Sequence, residues 1–388
     1  MRPFALPLIW LAAYAAPAAA QGAAPDMTLS VEFPPGDTSS TVILSNSEDR
    51  PVLAVRVNGS REYEFVLDSG ASVSVVDHEI AAELQLPRDE RVSEVTDSLG
   101  LSETVSFVRA ERVCVGRVSF GNMMLAEVDL PQDLRDGVLG CDFLSVVRIT
   151  LDPRAKRATI RSPESRWRPK SEGLTVKRDS ALLPYVEGRI GGQSVWLLMD
   201  TGSGHALALS EHDAAACGLD GGGSSYYTAV ASGFGRGVQP VGPLESLHIG
   251  GALAKGMYAR IGGRRSLVGA PLLAQMRVTF DLAASHVYME PYSRSAIDLN
   301  QRLCTGVEIG ETEGGYLGIM SVAYDSPADR EGLRAGMRIT HINGTPGKEI
   351  NRRFLQRLHE RPDGSVITYG VANGRDRFEV ELQKVYLR

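Results

Sequence analysis

The chain has 388 residues, with 41 Lys and Arg against 47 Asp and Glu and a net charge of −6. Its 43% hydrophobic and 23% charged content is globular, enough for two or three domains of about 100–200 residues, each with its own core. No long basic block exists, which excludes a nucleic-acid footprint. The four cysteines form no C-x-x-C, so no zinc cluster is expected.

Residues 1–20 read as a secretory signal peptide. Arg2 supplies the positive charge, an apolar run extends from Phe4 to Ala16, and Ala18-Ala19-Ala20 offers an A-x-A cleavage site. The run is shorter than the roughly 20 residues a membrane span needs and is broken by Pro7. A periplasmic or secreted protein is therefore expected, with no membrane span after signal removal. Residues 21–40 look weakly ordered, although Thr28 to Phe33 fits an edge strand.

Self-similarity begins near residue 42. The strand Pro51 to Val57, a turn at Asn58-Gly59 and a second strand lead to Phe65-Val66-Leu67-Asp68-Ser69-Gly70-Ala71-Ser72. The strand Tyr185 to Ile190, a turn at Gly191-Gly192 and another strand lead to Leu197-Leu198-Met199-Asp200-Thr201-Gly202-Ser203-Gly204. The landmarks then recur in order. Val113 to Gly116 matches Leu247 to Gly250. Val138-Leu139-Gly140 ends 72 residues after Asp68, and Leu267-Val268-Gly269 ends 69 after Asp200. Val147 to Asp152 matches Met276 to Asp281, each followed by a short hairpin and a last strand. A period this long marks duplicated lobes rather than a solenoid.

Between the landmarks the sequence reads as short strands with Gly-rich turns. The two helix signals are Asp77 to Leu84, with an Asp cap, and its counterpart Ser210 to Cys217. Arg161 to Gly173 is charged, holds two prolines and reads as a surface linker. Cys114 and Cys141 sit in apolar strand-like runs, where a buried thiol is the default. No pairing with Cys217 or Cys304 is expected, although export permits disulfides. His205 is expected to be a solvent-exposed or core histidine. No metal constellation and no cofactor motif appears.

Paired Asp-Ser-Gly and Asp-Thr-Gly motifs, each after an apolar strand and each followed by two apolar residues and Gly, resemble the retropepsin-like and pepsin-like aspartic peptidases over residues 42 to 296. The resemblance implies a mostly β fold of two duplicated acid-protease-type lobes with a bilobal active site. It implies Asp68 and Asp200 as catalytic residues sharing a proton, and a peptide or protein substrate. It implies support of the loops by Ser69, Gly70, Thr201, Gly202, Ser203, Gly140 and Gly269. The hydroxyls of Ser69 and Thr201 would cross to the opposite loop. Glycine at 70 and 202 would let the backbone pass close to the carboxylates, and Gly140 and Gly269 would let the later strand pass beneath. Ser203, where the first lobe has Ala71, would bond the Asp200 carboxylate. Asp200 would then ionise more easily, leaving the proton more on Asp68. The flap candidates are Val95 to Val108, with Gly100 at its turn, and Tyr227 to Val238, with Gly233 and Gly235. No unambiguous flap tyrosine appears in the first lobe.

After residue 296 the character changes. Ser326-Pro327-Ala328 through Gly332-Leu333 to Ile342-Asn343-Gly344 resembles the middle of a PDZ domain. The likeness implies a small β/α module that adds a peptide to a sheet edge and captures a C-terminal carboxylate. Thr305, Gly306, Val307 and Ile309 fall at its carboxylate loop and edge strand. Asn351 to Glu360 is the expected groove helix, with Phe354 and Leu358 as peptide-binding residues. Met337 stands where many relatives have Asp.

The expected organisation is a signal peptide at 1–20, lobes at 42–162 and 174–296, a linker at 163–173 and a PDZ-type module at 297–388. The function expected is that of an exported, bacterial-type aspartic endopeptidase. The rival reading is a non-catalytic periplasmic peptide-binding adaptor on the same folds.

Overall fold

The computed structural model describes residues 29–386, except 48–49, 97–101, 131–135, 220–225, 232–235, 300–302, 313–314, 324–325, 360 and 362–363. The signal-peptide expectation and the flap glycines Gly100, Gly233 and Gly235 lie outside the described residues.

The structure is mostly β, and its first two thirds repeat one plan. In the first lobe Arg50–Val57 and Glu62–Leu67 pair antiparallel around Asn58-Gly59, with φ of 49° and 79°. In the second, Pro184–Ile190 and Gln193–Asp200 pair around Gly191-Gly192, with φ of 56° and 83°. Two successive left-handed residues make the turn whose twist suits a tight hairpin, which explains Asn-Gly and Gly-Gly there. Each hairpin delivers its Asp to a loop. The chain returns as a short strand, Val75–Asp77 or Leu207–Leu209, and enters a one-and-a-half-turn helix. Asp77 caps His78–Glu83 and Ser210 caps Glu211–Ala216 through their side-chain oxygens.

The apolar-apolar-Gly segments occupy the gap between the strand entering each loop and the strand leaving it. Gly137–Leu139 runs parallel to Glu62–Leu67 and antiparallel to Val75–Asp77. Leu267–Gly269 does the same between Gln193–Asp200 and Leu207–Leu209. Val138, Leu139, Leu267 and Val268 are fully buried there. A short helix follows each, Cys141–Leu144 and Ala270–Leu273. Cys141 therefore opens a helix rather than sitting inside a strand, though its thiol is buried and free. Cys114 and Cys217 are free as well.

A six-stranded sheet joins the lobes, in the order Gly173–Thr175, His286–Pro291, Met276–Asp281, Arg148–Asp152, Arg157–Arg161, Ser39–Ile43. Its centre is the repeat paired with itself. Arg-Ile-Thr-Leu-Asp from the first lobe lies antiparallel to Arg-Val-Thr-Phe-Asp from the second, with Thr150 opposite Thr279. Antiparallel pairing sets each Arg against the other copy's Asp. Arg148 Nε donates to Asp281 at 2.6 Å, and Arg277 Nη2 donates to Asp152 at 2.9 Å. Each Arg thus supplies the counter-charge of a buried Asp, as a buried charge requires. Ser39–Ile43 belongs to this sheet, so within the segment expected to be weakly ordered the described residues from Ser39 on form regular structure. Ser30–Glu32 adds the expected edge strand, against Ser119–Gly121. The linker after Arg161 is not a free tether, because Trp167 lies 5.1 Å from Arg148 and edge-on to Tyr288.

The C-terminal segment has a core of its own, built on Leu317, Ile319, Leu333, Ile339, Tyr369 and Val371. Five antiparallel strands run in the order Val307–Glu311, Leu317–Val322, Arg338–Ile342, Val366–Asn373, Asp376–Gln383. Ser326 caps the helix Pro327–Arg330, and a second helix spans Arg352–His359. This module rests on the second lobe. Ala323 and Val385 pack with Val241 and Tyr258, and Leu317–Val322 lies against the lobe's Tyr226–Ala231 strand.

Candidate active site

The two motif loops meet and are locked by hydrogen bonds that cross between lobes. Ser69 Oγ donates to the Met199 carbonyl at 2.6 Å and accepts from Thr201 N–H at 3.1 Å. Thr201 Oγ1 donates to the Leu67 carbonyl at 2.6 Å and accepts from Ser69 N–H at 3.0 Å. Each hydroxyl uses its donor and an acceptor site at once, so Ser and Thr serve equally. The added methyl of Thr201 plays no part in the bonding.

Inside this clasp lie Asp68, 4% exposed, and Asp200, fully buried. Gly70 N–H donates to Asp68 Oδ1 at 2.7 Å, while Gly202 and Ser203 N–H donate to Asp200 Oδ1 at 3.1 and 3.0 Å. Each motif glycine also lies over the opposite carboxyl. A Cβ on Gly70 would fall 1.7 Å from Asp200 Oδ2, and one on Gly202 would fall 2.3 Å from Asp68 Cγ. Neither distance admits an atom, so the requirement for glycine is steric. The later glycines are as tight. A Cβ on Gly140 would meet the Val73 carbonyl oxygen at 2.6 Å, and one on Gly269 would meet that of His205 at 2.1 Å.

Burial raises the proton affinity of both carboxyls, by different amounts. Asp68 is raised to about 6, because the Gly70 N–H, its neighbour Asp200 and the buried Arg50 guanidinium offset part of the burial. Asp200 is pushed well above the carboxylate range, first by burial and then by the negative charge of Asp68. Asp200 Oδ2 has no partner of ordinary hydrogen-bond geometry, so charge weighs more than bonding between the two. The two carboxyls therefore titrate as one pair, with Asp200 the one pushed higher by burial and by the charge of Asp68.

This reverses the expectation built on Ser203. Its hydroxyl donates to the His205 carbonyl at 3.2 Å and accepts from His205 N–H at 3.1 Å. Only its backbone N–H reaches Asp200. The hydroxyl is spent closing the loop, which no inspection of Ala71 against Ser203 reveals.

Sequence reasoning missed two buried arginines. Arg50 opens the first hairpin, and Arg260 lies in Met257–Ile261, 4% exposed and within electrostatic reach of Asp200. Burial lowers the Arg260 guanidinium to about 10. Burial and Arg260 together hold His205 neutral, down to about 3. An Arg in an apolar strand, as in Met257–Ile261, is the signal that would have singled out Arg260. Beneath the first motif, Ser74 N–H and Oγ bond Asp142, and Ser74 Oγ accepts from Gly140 N–H.

Both flap candidates are hairpins. In the first lobe Arg88–Thr96 pairs with Ser102–Val115, and Val95 and Val105 pack with Val52, Val66, Ala71 and Val75 beside the first loop. In the second, Tyr226–Ala231 pairs with Arg236–Leu244.

The residues assigned to the C-terminal module come together less openly. Val307 and Ile309 lie on an edge strand, paired on one side only among the described residues. Gly306, with φ of 87°, is pressed on the Ser326 cap, where a Cβ would fall 2.0 Å from Oγ. Thr305 is buried, with its hydroxyl 3.1 Å from that of Tyr369. Phe354 is partly buried against the module's core, but Leu358 is inside it. Leu358 is thus a packing residue and not part of an open groove wall. Among the described residues no cluster of three His, Cys, Asp or Glu side chains could hold a metal ion. No helix among them is long and apolar enough to cross a membrane.

No curated protein matches the chain. A family model described as aspartyl protease matches it twice, over residues 53–143 and again over 186–270. Each match contains one Asp-Ser/Thr-Gly loop and its later apolar-apolar-Gly strand, so the chain is similar to the aspartyl proteases in both of its lobes.

Proposed function

We propose that this protein is an aspartic endopeptidase. The observation that carries the reading is the buried, coupled pair Asp68 and Asp200, held by reciprocal Ser69 and Thr201 bonds. Such a pair supplies both halves of acid–base hydrolysis without a covalent intermediate. Asp68, ionised first, takes a proton from a water placed between the carboxyls. Asp200, protonated, donates a hydrogen bond to the scissile carbonyl and stabilises the oxyanion that develops. The water's oxygen bonds to the carbonyl carbon, and the C–N bond breaks as the amine receives a proton. The reading includes export through the 1–20 leader to a periplasmic or secreted location. It also includes peptide capture by addition of a strand to the free edge of Val307–Glu311.

The test is cleavage of casein between pH 3 and 7 by residues 21–388 and by Asp200→Asn. The expected outcome is cleavage by the first and a loss of about 1,000-fold or more in the second. No cleavage by either, with casein still bound, would replace this reading with the peptide-binding adaptor.

A further inference from the structure

The sheet that joins the lobes carries a second site of different chemistry. On the face turned away from Ile149, Ile160 and Phe280, cross-strand register sets Thr41, Thr159, Thr150 and Thr279 in one row over four adjacent strands. Thr41 and Thr159 hydroxyls are 3.2 Å apart, and those of Thr150 and Thr279 are 2.9 Å apart. A cavity of about 400 Å³ lies over this row, walled on one side by Trp167, Arg168 and Lys170 of the linker.

The charges in this cavity do not balance. Arg277 donates to both Asp152 and Glu290, and Arg157 faces Asp152 at 3.6 Å, so the two carboxylates are already matched. Arg161, Arg168 and Lys170 also line the cavity. None of the three has a carboxylate partner among the described residues. Arg161 is half-buried and held by one hydrogen bond, Nη1 to Thr150 Oγ1 at 2.8 Å, with Trp167 at 5.8 Å. Cations gathered in a recess repel one another, and an anion seated among them removes that cost.

The lobe repeat supplies an internal control. On the same face the equivalent Arg148–Asp281 pair, with Arg148 directly cross-strand from Arg161, is covered. Arg148 donates there to the Pro163 carbonyl and to Ser165 Oγ. The linker thus supplies acceptors to Arg148, whereas its cross-strand neighbour Arg161 is bonded to Thr150 Oγ1.

We propose that this cavity binds an anionic sugar, one bearing a phosphate or a carboxylate. Arg161, Arg168 and Lys170 meet the charge, the threonine row meets ring hydroxyls, and Trp167 offers an apolar edge. A bare oxyanion would fill only a fraction of the volume, which falls in the range of small-ligand sites.

The experiment is calorimetric titration of residues 21–388 with glucose 6-phosphate, glucuronate, inorganic phosphate and glucose. Glucose 6-phosphate or glucuronate is expected to bind about tenfold or more tighter than inorganic phosphate and glucose. Which of the two binds tells phosphate from carboxylate. Arg168→Gln combined with Lys170→Gln, both exposed and so harmless to the fold, should weaken that binding about tenfold or more. Asp200→Asn should leave it unchanged. Equal affinity for inorganic phosphate would reduce the site to an ion site and overturn the proposal. So would binding indifferent to the double substitution, or no heat from either sugar up to tens of millimolar.

Discussion

The two lobes use one framework to hold two carboxyls in different electrostatic states. Ser69 and Thr201 make matching bonds, and Gly70 and Gly202 make matching close approaches. The difference lies in what surrounds each Asp. Asp68 keeps a sliver of exposure and the pull of Arg50. Asp200 is sealed and feels the charge of Asp68. Symmetry of the backbone thus does not carry over to the protons. A working pair needs that asymmetry, because one carboxyl must accept a proton while the other donates one.

The strongest way to break the comparison is at the glycines. Gly70→Ala and Gly202→Ala each place a methyl inside the opposite carboxyl, so activity should fall about 100-fold or more in both. Circular dichroism should show the β fold retained. If one variant kept near-normal turnover, the close approach in that lobe would be dispensable and the mirror description would fail.

A second test addresses protonation. Asp68 is raised from 3.8 to about 6 on folding. A carboxyl raised in the folded state binds its proton more tightly there than in the unfolded chain. Its contribution to stability is therefore fully present below about pH 4 and lost as pH climbs through 6. The difference amounts to about 3 kcal/mol. Urea unfolding at pH 4 and pH 7 should show a smaller loss between the two in Asp68→Asn than in the parent, by about that amount. Equal losses in both proteins would mean Asp68 titrates in its ordinary range.

How much of this was legible in the chain follows the same divide between backbone and environment. The motif loops, their hairpins and the later Val-Leu-Gly and Leu-Val-Gly strands were readable, because turn chemistry and close packing demand particular residue types at fixed spacing. The hydroxyl clasp was readable through the family likeness. The pairing of Arg148 to Asp281 and Arg277 to Asp152 was not, since a repeat reveals two equal strands but not that they lie side by side. The role of Ser203 was misread for a related reason. A hydroxyl beside a carboxylate in sequence has other acceptors in space, and here the His205 backbone wins. Arg50 and Arg260 went unseen, because charge in an apolar strand gains meaning only when burial is known.

The clasp gives the third test. Ser69→Ala and Thr201→Val each remove one hydroxyl that donates and accepts across lobes. Each leaves a buried carbonyl and a buried N–H without that partner, at a cost of about 2 kcal/mol. The two losses, read from urea midpoints, should agree closely, since the bonds match in kind and length. A much larger loss in Thr201→Val would show that the methyl replacing the hydroxyl does not fit its site, and that the lobes are less alike than their bonds.

The smallest effect expected is at Ser203, where the first lobe has Ala71 and no hydroxyl. Ser203→Ala makes the second loop match Ala71 of the first. The lost hydroxyl bonds only the His205 backbone, so stability should drop by about 1 kcal/mol. The Asp200 carboxyl keeps its bonds from the Gly202 and Ser203 N–H groups, which alanine still provides. The acid limb of the pH–rate profile should therefore stay in place. If the limb moved, the hydroxyl would reach the carboxylate in the working enzyme. The proton would then have to be placed on Asp68, and the asymmetry between the lobes would rest on that one side chain rather than on burial.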